Sequence, residues 1–328
     1  MKKSVKKWIS VLLAAAMIAG TGHAAYAGPS EPFYRRDAKA SDQRQLPNNC
    51  RFLTEGKYEL HRISAKYGID PSYTPSMQGL DSLHISGSAQ YSEPQFRELA
   101  GQLRALAAGD PVYVIDLRQE SHAFLNGNAV SYYGNDNQQN IGMKLPQVEA
   151  DEEMRFRPMQ GTTQTVYKST SRKESSRRDI AVENVMTERE LAESEGFGYL
   201  RLCCTDHEWP DADQIDRFIE FVRGIDMNHV WLHFHCYAGQ GRTSTFMSIY
   251  DMMKNPDVTV EDVVLRQAMA GGKYLLYSDG STVEDLRRHT EKARNIRLMY
   301  EYIQENRAGN YEIPWSVWLE QEMLENAA

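Results

Sequence analysis

The chain has 328 residues, of which 37 are Lys or Arg and 45 are Asp or Glu, so its formal net charge is −8. The first 27 residues carry four lysines and no acidic residue, which leaves the remainder at −12. This balance argues against a generic nucleic-acid-binding protein, whose surface is usually basic. Because 41% of the residues are hydrophobic, the chain can bury a core. Its length predicts about one or two domains.

The N-terminus has the pattern of an export signal. Residues 1–8 are basic, residues 9–20 form an apolar run, and Ala25-Tyr26-Ala27 fits a small-x-small cleavage site. The run is too short to span a bilayer, which needs about 20 apolar residues, although an uncleaved anchor is the alternative. We therefore predict a signal peptide at residues 1–27, cleaved near Ala27. The mature protein is expected to be a bacterial export product, periplasmic or secreted, without stable membrane association.

Strands and helices alternate along most of the mature chain. A helix is predicted at residues 94–106 and a buried strand at 111–117. Further strands are predicted at residues 199–204 and 230–234, and further helices at 210–225, 242–254, 259–269, 284–306 and 314–325. Such alternation predicts an α/β sheet covered by helices.

Residues 126–178 interrupt this alternation. The segment is polar, rich in Gly, Asn, Gln, Ser and Thr, and contains short alternating stretches such as residues 161–167. We interpret it as an inserted small β-rich subdomain. A long loop is the alternative, but about 50 structureless residues would be unusual inside a compact domain.

The clearest motif lies between a predicted strand and a predicted helix, and reads His235-Cys236-Tyr237-Ala238-Gly239-Gln240-Gly241-Arg242-Thr243. A loop in this position can aim its backbone N–H groups at one centre and cradle an oxyanion, with help from the helix dipole. Gly239 and Gly241 permit the backbone angles that such a loop requires. Arg242 can hold two oxygens of a phosphoryl group. The motif therefore predicts a phosphate-binding loop.

Cys236 is the predicted nucleophile, because the positive field of the loop favours its thiolate. Thr243 can donate its hydroxyl to that thiolate, and His235 is expected to fix the loop. The other cysteines, Cys50, Cys203 and Cys204, are too few for a disulfide scaffold, and the last two are expected to be buried strand residues.

A metal site is the alternative role for the histidines at positions 229, 233 and 235, which share one strand face. No matching carboxylate cluster accompanies them in the sequence, so we expect no metal and no other cofactor.

Cleavage of a phosphate ester also needs a proton for the leaving oxygen. Asp206 ends a predicted strand, on a loop that would cover the phosphate-binding loop, and we favour it as the general acid. Asp211 completes a literal Trp-Pro-Asp but starts the next predicted helix, where an aspartate often complements the dipole. His207 is either a phosphate ligand or an ordinary loop histidine.

The loop resembles the signature HCxxGxGR(S/T) of the protein tyrosine phosphatase superfamily. More narrowly, the chain resembles the bacterial protein tyrosine phosphatase-like phytases, also called cysteine phytases. The stretches that carry this resemblance are residues 80–88, 116–122 with 125–127, 205–207 with 209–210, 231–236 and 314–319.

This resemblance implies a tyrosine-phosphatase-like central sheet covered by helices, formed by residues 28–125 and 179–328. It also implies a small inserted partial β-barrel at 126–178. The implied substrates are myo-inositol hexakisphosphate (phytate) and lower inositol phosphates, hydrolysed through a phosphocysteine intermediate. The family's general acid falls on Asp206, and its N-terminal phosphate-binding arginine falls on Arg51, in a Pro-x-x-x-Arg context.

A dense polyanion must meet a local basic patch on a protein this acidic. The loop supplies backbone groups of Tyr237, Ala238, Gly239, Gln240 and Gly241, but Arg242 is its one cation. The further candidates for substrate binding are Arg51, Arg172, Lys173, Lys273 and Lys292, with Asp136 of the insert facing the site.

Three other functions compete with this one. A secreted protein-tyrosine or phosphoinositide phosphatase would use the same chemistry on another substrate. A non-catalytic phosphate-binding module would need neither Cys236 nor Asp206. A sulfur-transfer enzyme could use a cysteine-centred anion loop but would leave Asp206 idle. The sequence leaves the oligomeric state open.

Overall fold

Two β-sheets and their covering helices make up the part of the chain that the computed structural model describes, residues 31–37, 40, 44–53, 58 and 60–325. The strands are β1 Phe33–Arg36, β2 Arg51–Phe52, β3 Ile85–Ser88, β4 Val112–Asp116, β5 His122–Leu125, β6 Asn128–Tyr133, β7 Thr163–Tyr167, β8 Arg177–Ala181, β9 Val185–Met186, β10 Gly198–Arg201 and β11 Trp231–His235. The helices are α1 His61–Tyr67, α2 Glu93–Ala107, α3 Leu145–Phe156, α4 Glu188–Ser194, α5 Ala212–Arg223, α6 Gly241–Lys254, α7 Val260–Met269, α8 Val283–Asn306 and α9 Trp315–Glu325.

The first sheet has the strand order β10-β4-β11-β3-β2. The first four strands are parallel, and the short β2 pairs antiparallel with β3. At the end of β11, His235 is in register with Asp116 of β4 and Ser88 of β3. Because parallel strands end at the same edge, the loops that follow β3, β4, β10 and β11 meet there, and ligands of open α/β sheets bind at this edge.

Helices cover both faces of the first sheet, which explains the apolar runs of its strands. Leu232 and Phe234 pack in a core with residues of α5 to α9, such as Trp315. Trp231 and Val114 belong to the core on the opposite face, which is built mainly on α2. Alternate residues of each strand thus serve the two cores, as the pleat of a strand requires.

The second sheet has the strand order β8-β7-β1-β6-β5-β9. It lies over a separate small core in which Val130, Val166 and Phe156 of α3 are buried. Residues 126–178 supply β6, β7 and the start of β8, but β1, β5 and β9 come from outside that range. The segment also contains α3, which was not predicted because the whole segment was interpreted as β-rich from its polar composition. A partial β-barrel at 126–178 remains a prediction.

The elements predicted in the alternating regions are present, with ends that shift by a few residues. The strand predicted at 199–204 ends its ladder at Arg201, and the helix predicted from Pro210 begins at Ala212, with Asp211 at its N-cap. The predicted signal peptide lies outside the described residues. Among the helices of the described part, none combines the length and the apolar character that a membrane crossing requires.

Candidate active site

The phosphate-binding loop connects β11 to α6 at the carboxyl edge of the first sheet. Its carbonyl groups face the protein: the Tyr237 carbonyl accepts from the Gln90 N–H at 3.2 Å, and the Ala238 carbonyl accepts from Asn49 Nδ2 at 2.7 Å. In a trans peptide the following N–H points the opposite way. The N–H groups after these carbonyls therefore turn towards the cleft above the loop, and the N-terminus of α6 adds partial positive charge.

Gly239 allows the loop to lie against the sheet. Its φ is +68°, a left-handed conformation that side chains disfavour. A Cβ at this position would lie 2.4 Å from the Ala89 nitrogen and the Ser88 carbonyl carbon. Gly241, by contrast, is the first residue of α6 and has open space at its Cβ position.

Cys236 lies at the base of the loop and is 2% exposed. Its Sγ accepts a hydrogen bond from the Thr243 hydroxyl at 3.2 Å, as predicted. His235 pairs through Nε2 with Glu188 of α4, behind the loop and away from the cleft. The other three cysteines are unpaired. Burial raises the pKa of Cys203 to about 11 and holds the pKa of Cys204 well above its usual value, which keeps both as thiols.

Arg242 is held in a buried ion pair with Glu120. Its NH1 donates to Glu120 Oε2 at 2.8 Å and its NH2 to Glu120 Oε1 at 3.2 Å, while NH1 also donates to the carbonyls of Leu117 and Cys204. Burial alone would raise the pKa of Glu120, but Arg242 and then Arg118 outweigh this and hold it well below its usual range. Arg242 Nε is buried without a hydrogen-bond partner among the described residues. This donor is therefore available to an anion in the loop.

Asp206 and Asp211 occupy different positions. Asp206 lines the cleft, and its Oδ1 lies 3.1 Å from Arg242 NH2. Asp211 is exposed at the N-cap of α5 and is absent from the residues that line the cleft. Of the two carboxylates, Asp206 is the one next to Cys236 and Arg242.

The cleft has a volume of about 340 Å³ and is bordered by cations on several elements. Arg35 of β1 lines it, with its guanidinium carbon 4.0 Å from the centre of the Tyr133 ring and 4.2 Å from that of Tyr237. Lys273 and Lys292 also line the cleft. Burial and then Lys273 lower the pKa of Lys292 to about 8.

The other predicted cleft residues are also in place. His207, Tyr237, Ala238, Gln240, Gly241 and Asp136 all line the cleft. Gln240 is anchored by a hydrogen bond from its Nε2 to the Gly271 carbonyl, 2.9 Å away.

Three predicted substrate-binding residues lie elsewhere. Arg51 is buried behind the loop, where its NH1 donates to the Gly239 carbonyl at 2.7 Å, so it supports the loop instead of lining the cleft. Arg172 donates to the carbonyls of Glu31 and Pro32. Lys173 is exposed next to it and outside the cleft lining. Both follow β7, and the local sequence alone did not show which way this turn faces.

A buried polar cluster lies behind the loop. Asp116, Glu188 and His235 each place one atom that could coordinate a metal, a carboxylate oxygen or a ring nitrogen, within 4.8 Å of the others. Burial alone would raise the pKa of Glu188, but His235 and His122 hold it well below its usual value. Arg201 lies 3.4 Å from Asp116, so the carboxylates already have cationic partners.

The other two histidines that we had considered as metal ligands do not join this cluster. His233 bonds to Ser86 and Ser88, and His229 is exposed beside Asp110.

The sequence and the fold of this chain are similar to those of known proteins. A family model for PTP-like phytases, described by the words inositol hexakisphosphate, matches residues 115–254. The PTP-like myo-inositol phosphatase from Mitsuokella multacida, solved with myo-inositol-(1,3,4,5)-tetrakisphosphate, is 38% identical over 88% of this chain with a TM-score of 0.79. The chain is thus similar to PTP-like phytases in sequence and in fold. The predicted resemblance and its α/β fold are thereby confirmed.

Two further relatives show how far the likeness extends. A PTP-like phytase from Bdellovibrio bacteriovorus is 26% identical, with a TM-score of 0.66, and the match covers 88% of this chain and 95% of that one. Effector protein hopD2 of Pseudomonas syringae pv. tomato is 27% identical over 73% of this chain and 52% of its own length. The chain covers 49% of the Mitsuokella chain and 52% of hopD2, so it spans about half the length of these longer relatives.

Several site residues were not found from the sequence. Glu120 lies within the resembling stretch 116–122 but was given no role, and Arg35 and Asn137 were not noticed at all. Arg35 reaches the site because β1 pairs with β6. Its partner Ser131 on β6 is 96 residues away along the chain. The sequence of β1, FYRR, has no polar–apolar alternation, so it indicates neither the strand nor the strand with which it pairs.

The packing of Gly239 gives a test of the loop. Gly239→Ala places a methyl group against the backbone of β3, so the loop must shift, and a displacement of about 1 Å in an active site can cost about 10²-fold in rate. We expect hydrolysis of p-nitrophenyl phosphate to fall by at least about tenfold. Gly101→Ala, in open space on α2, is the control and should keep the wild-type rate. A fully active Gly239→Ala would contradict the described loop geometry.

Proposed function

We propose that this protein is an exported phosphatase that hydrolyses phosphate monoesters of myo-inositol hexakisphosphate and lower inositol phosphates through a phosphocysteine intermediate. The observation that carries the proposal is the grouping of Cys236, Arg242 and Asp206 at the base of one cleft. A binding module would need the cradle and the arginine but neither a nucleophile nor an acid. Export rests on residues 1–27, whose sequence has the signal-peptide pattern.

The relatives and the positive charges of the cleft support inositol phosphates as the substrates. The Mitsuokella phosphatase was solved with an inositol tetrakisphosphate. In this chain Arg35, Lys273 and Lys292 border the cleft around the phosphate-binding loop. A substrate with several phosphates can place one on the loop and the others against these cations.

In the first step the Cys236 thiolate attacks phosphorus, and the bond from phosphorus to the inositol oxygen breaks. Asp206, as the carboxylic acid, gives its proton to that oxygen. In the second step water attacks the phosphocysteine, Asp206 accepts a proton from it, and the sulfur–phosphorus bond breaks. Arg242 and the loop N–H groups stabilise the phosphoryl oxygens in both steps.

The direct test is phosphate release from phytate by the purified mature chain in the presence of a chelator. We expect turnover, and we expect Cys236→Ser to bind phytate but release no phosphate above background, because a hydroxyl lacks the reactive thiolate. Cys203→Ser is the control for loss of a buried cysteine and should remain active. Substantial turnover by Cys236→Ser would exclude the nucleophile, and a preference for phosphotyrosine peptide over phytate would favour a protein phosphatase.

The role of Asp206 can be separated from that of Asp211 by the leaving group. A positioned acid is worth about 10²–10⁴ in rate, so Asp206→Asn should lose at least about two orders of magnitude on phytate. Its loss on p-nitrophenyl phosphate should be much smaller, because that leaving group scarcely needs a proton. Asp211→Asn should change both rates little and cost about 0.3–1 kcal/mol of stability at the start of α5. The opposite pattern would assign the acid to Asp211.

The lowered pKa of Lys292 predicts a pH dependence of binding. A phosphate group of the substrate binds the charged form of the Lys292 amine. Above about pH 8 this amine is mostly neutral in the free enzyme. Lys292 must then take up a proton when the substrate binds, which weakens binding. We expect KM for phytate to rise by up to about tenfold per pH unit above this point. Lys292→Met should bind more weakly at all pH values and lack this rise, which separates it from the titration of phytate itself. An unchanged rise in Lys292→Met would assign it to another group.

A further inference from the structure

Asn137 lies where the second sheet meets the acid loop, which we define as residues 205–208. It follows β6 in a short turn, is 4% exposed and has a left-handed φ of +71°. Its Nδ2 donates to Glu120 Oε1 at 2.7 Å and to Asp206 Oδ2 at 2.9 Å. One amide group thus bridges the carboxylate that orients Arg242 and the carboxylate proposed as the general acid.

The orientation of this amide is set by its surroundings. Arg35 NH2, which can only donate, donates to Asn137 Oδ1 at 3.1 Å, so the oxygen must face Arg35 and the nitrogen must face the carboxylates. Arg35 is itself fixed, because its NH2 also donates to Asp37 and the guanidinium lies between the rings of Tyr133 and Tyr237. The amide therefore presents a donor to Asp206 in a fixed direction.

The rest of the acid loop is also tethered. The Thr205 hydroxyl donates to Gln119 Oε1 at 2.6 Å, and Gln138 Nε2 donates to the Asp206 carbonyl at 3.0 Å. Lys292 donates to the His207 carbonyl, and Arg288 pairs with Glu208. Asn137, by contrast, donates to the carboxyl group of Asp206 itself, whose other oxygen, Oδ1, lies 3.1 Å from Arg242 NH2 and accepts from the His207 N–H at 3.0 Å.

We propose that Asn137 is a positioning residue that aims the carboxyl group of Asp206 at the leaving oxygen. The inference rests on the proposed function and assigns the turn after β6 a role in it: the second sheet fixes the acid that the first sheet carries. Arg242 and the His207 N–H both hold Oδ1 of Asp206, and Asn137 supplies the contact to Oδ2 that fixes the rotation of the carboxyl group.

The test compares Asn137→Gly with Asn140→Gly. Both residues have a left-handed φ, +71° and +70°, which glycine adopts without strain, so each variant removes a side chain and keeps the backbone. Asn140 Nδ2 donates to Ser121 and to the Gln119 carbonyl, away from the Asp206 carboxyl group. Asn140→Gly therefore controls for the loss of a half-buried amide in the same segment.

We expect Asn137→Gly to lower kcat on phytate by about tenfold or more, with KM changed by less than about twofold, because the acid is misaligned but binding is kept. Its kcat on p-nitrophenyl phosphate should change by less than about threefold, since that reaction scarcely needs the acid. Asn140→Gly should stay within about twofold of wild type on both substrates. In an Asp206→Asn background, Asn137→Gly should cause no further loss on phytate.

Equal losses on both substrates, an unchanged phytate rate, or a full further loss in the Asp206→Asn background would each overturn the role of Asn137. Asn137→Asp, which keeps the shape and replaces the donor, should repeat the selective loss and serves if the glycine variant does not fold. If the wild-type chain releases no phosphate from phytate, the proposed substrate fails. The same comparison with glycerol 2-phosphate, another poor leaving group, then decides the role of Asn137.

Discussion

The buried ion pair between Arg242 and Glu120 is the interaction on which the site depends. A guanidinium in a 2% exposed position needs a partner, because an uncompensated buried charge would cost several kcal/mol. Glu120 accepts two parallel hydrogen bonds from Arg242, and it also accepts hydrogen bonds from Arg118 and Asn137. The pair thus fixes a cation beside Cys236 while one donor of Arg242, its Nε, stays available.

The sequence predicted the parts of the site that lie close together in the chain. Cys236, Gly239, Arg242 and Thr243 belong to one loop, whose strand-to-helix context can be read from apolar periodicity. Asp206 was favoured over Asp211 because the first ends a strand and the second starts a helix, and the structure places Asp206 at the cleft and Asp211 outside it.

The residues that were missed or misplaced depend on pairing between distant segments. Arg35 enters the cleft through β1, and Asn137 through the turn after β6, and no periodic pattern shows that these strands are neighbours. Arg51 was expected in the cleft, but its guanidinium turns inward to the Gly239 carbonyl. The charge of a side chain can be read from the sequence, whereas the direction in which it points depends on the packed backbone.

The pairing of β1 with β6 also bears on how the protein folds. Arg35 meets Ser131 across 96 residues of intervening chain, so this contact closes a long loop and carries a large entropic cost. Pairings at such sequence separation form slowly compared with local helices and turns. The phosphate-binding loop depends on still longer closures, because Arg242 meets Glu120 across 122 residues and Asn49 meets Ala238 across 189. The cradle for phosphate and the alignment of the proton donor therefore both wait for non-local pairing, and a chain with only its local helices and turns formed holds neither.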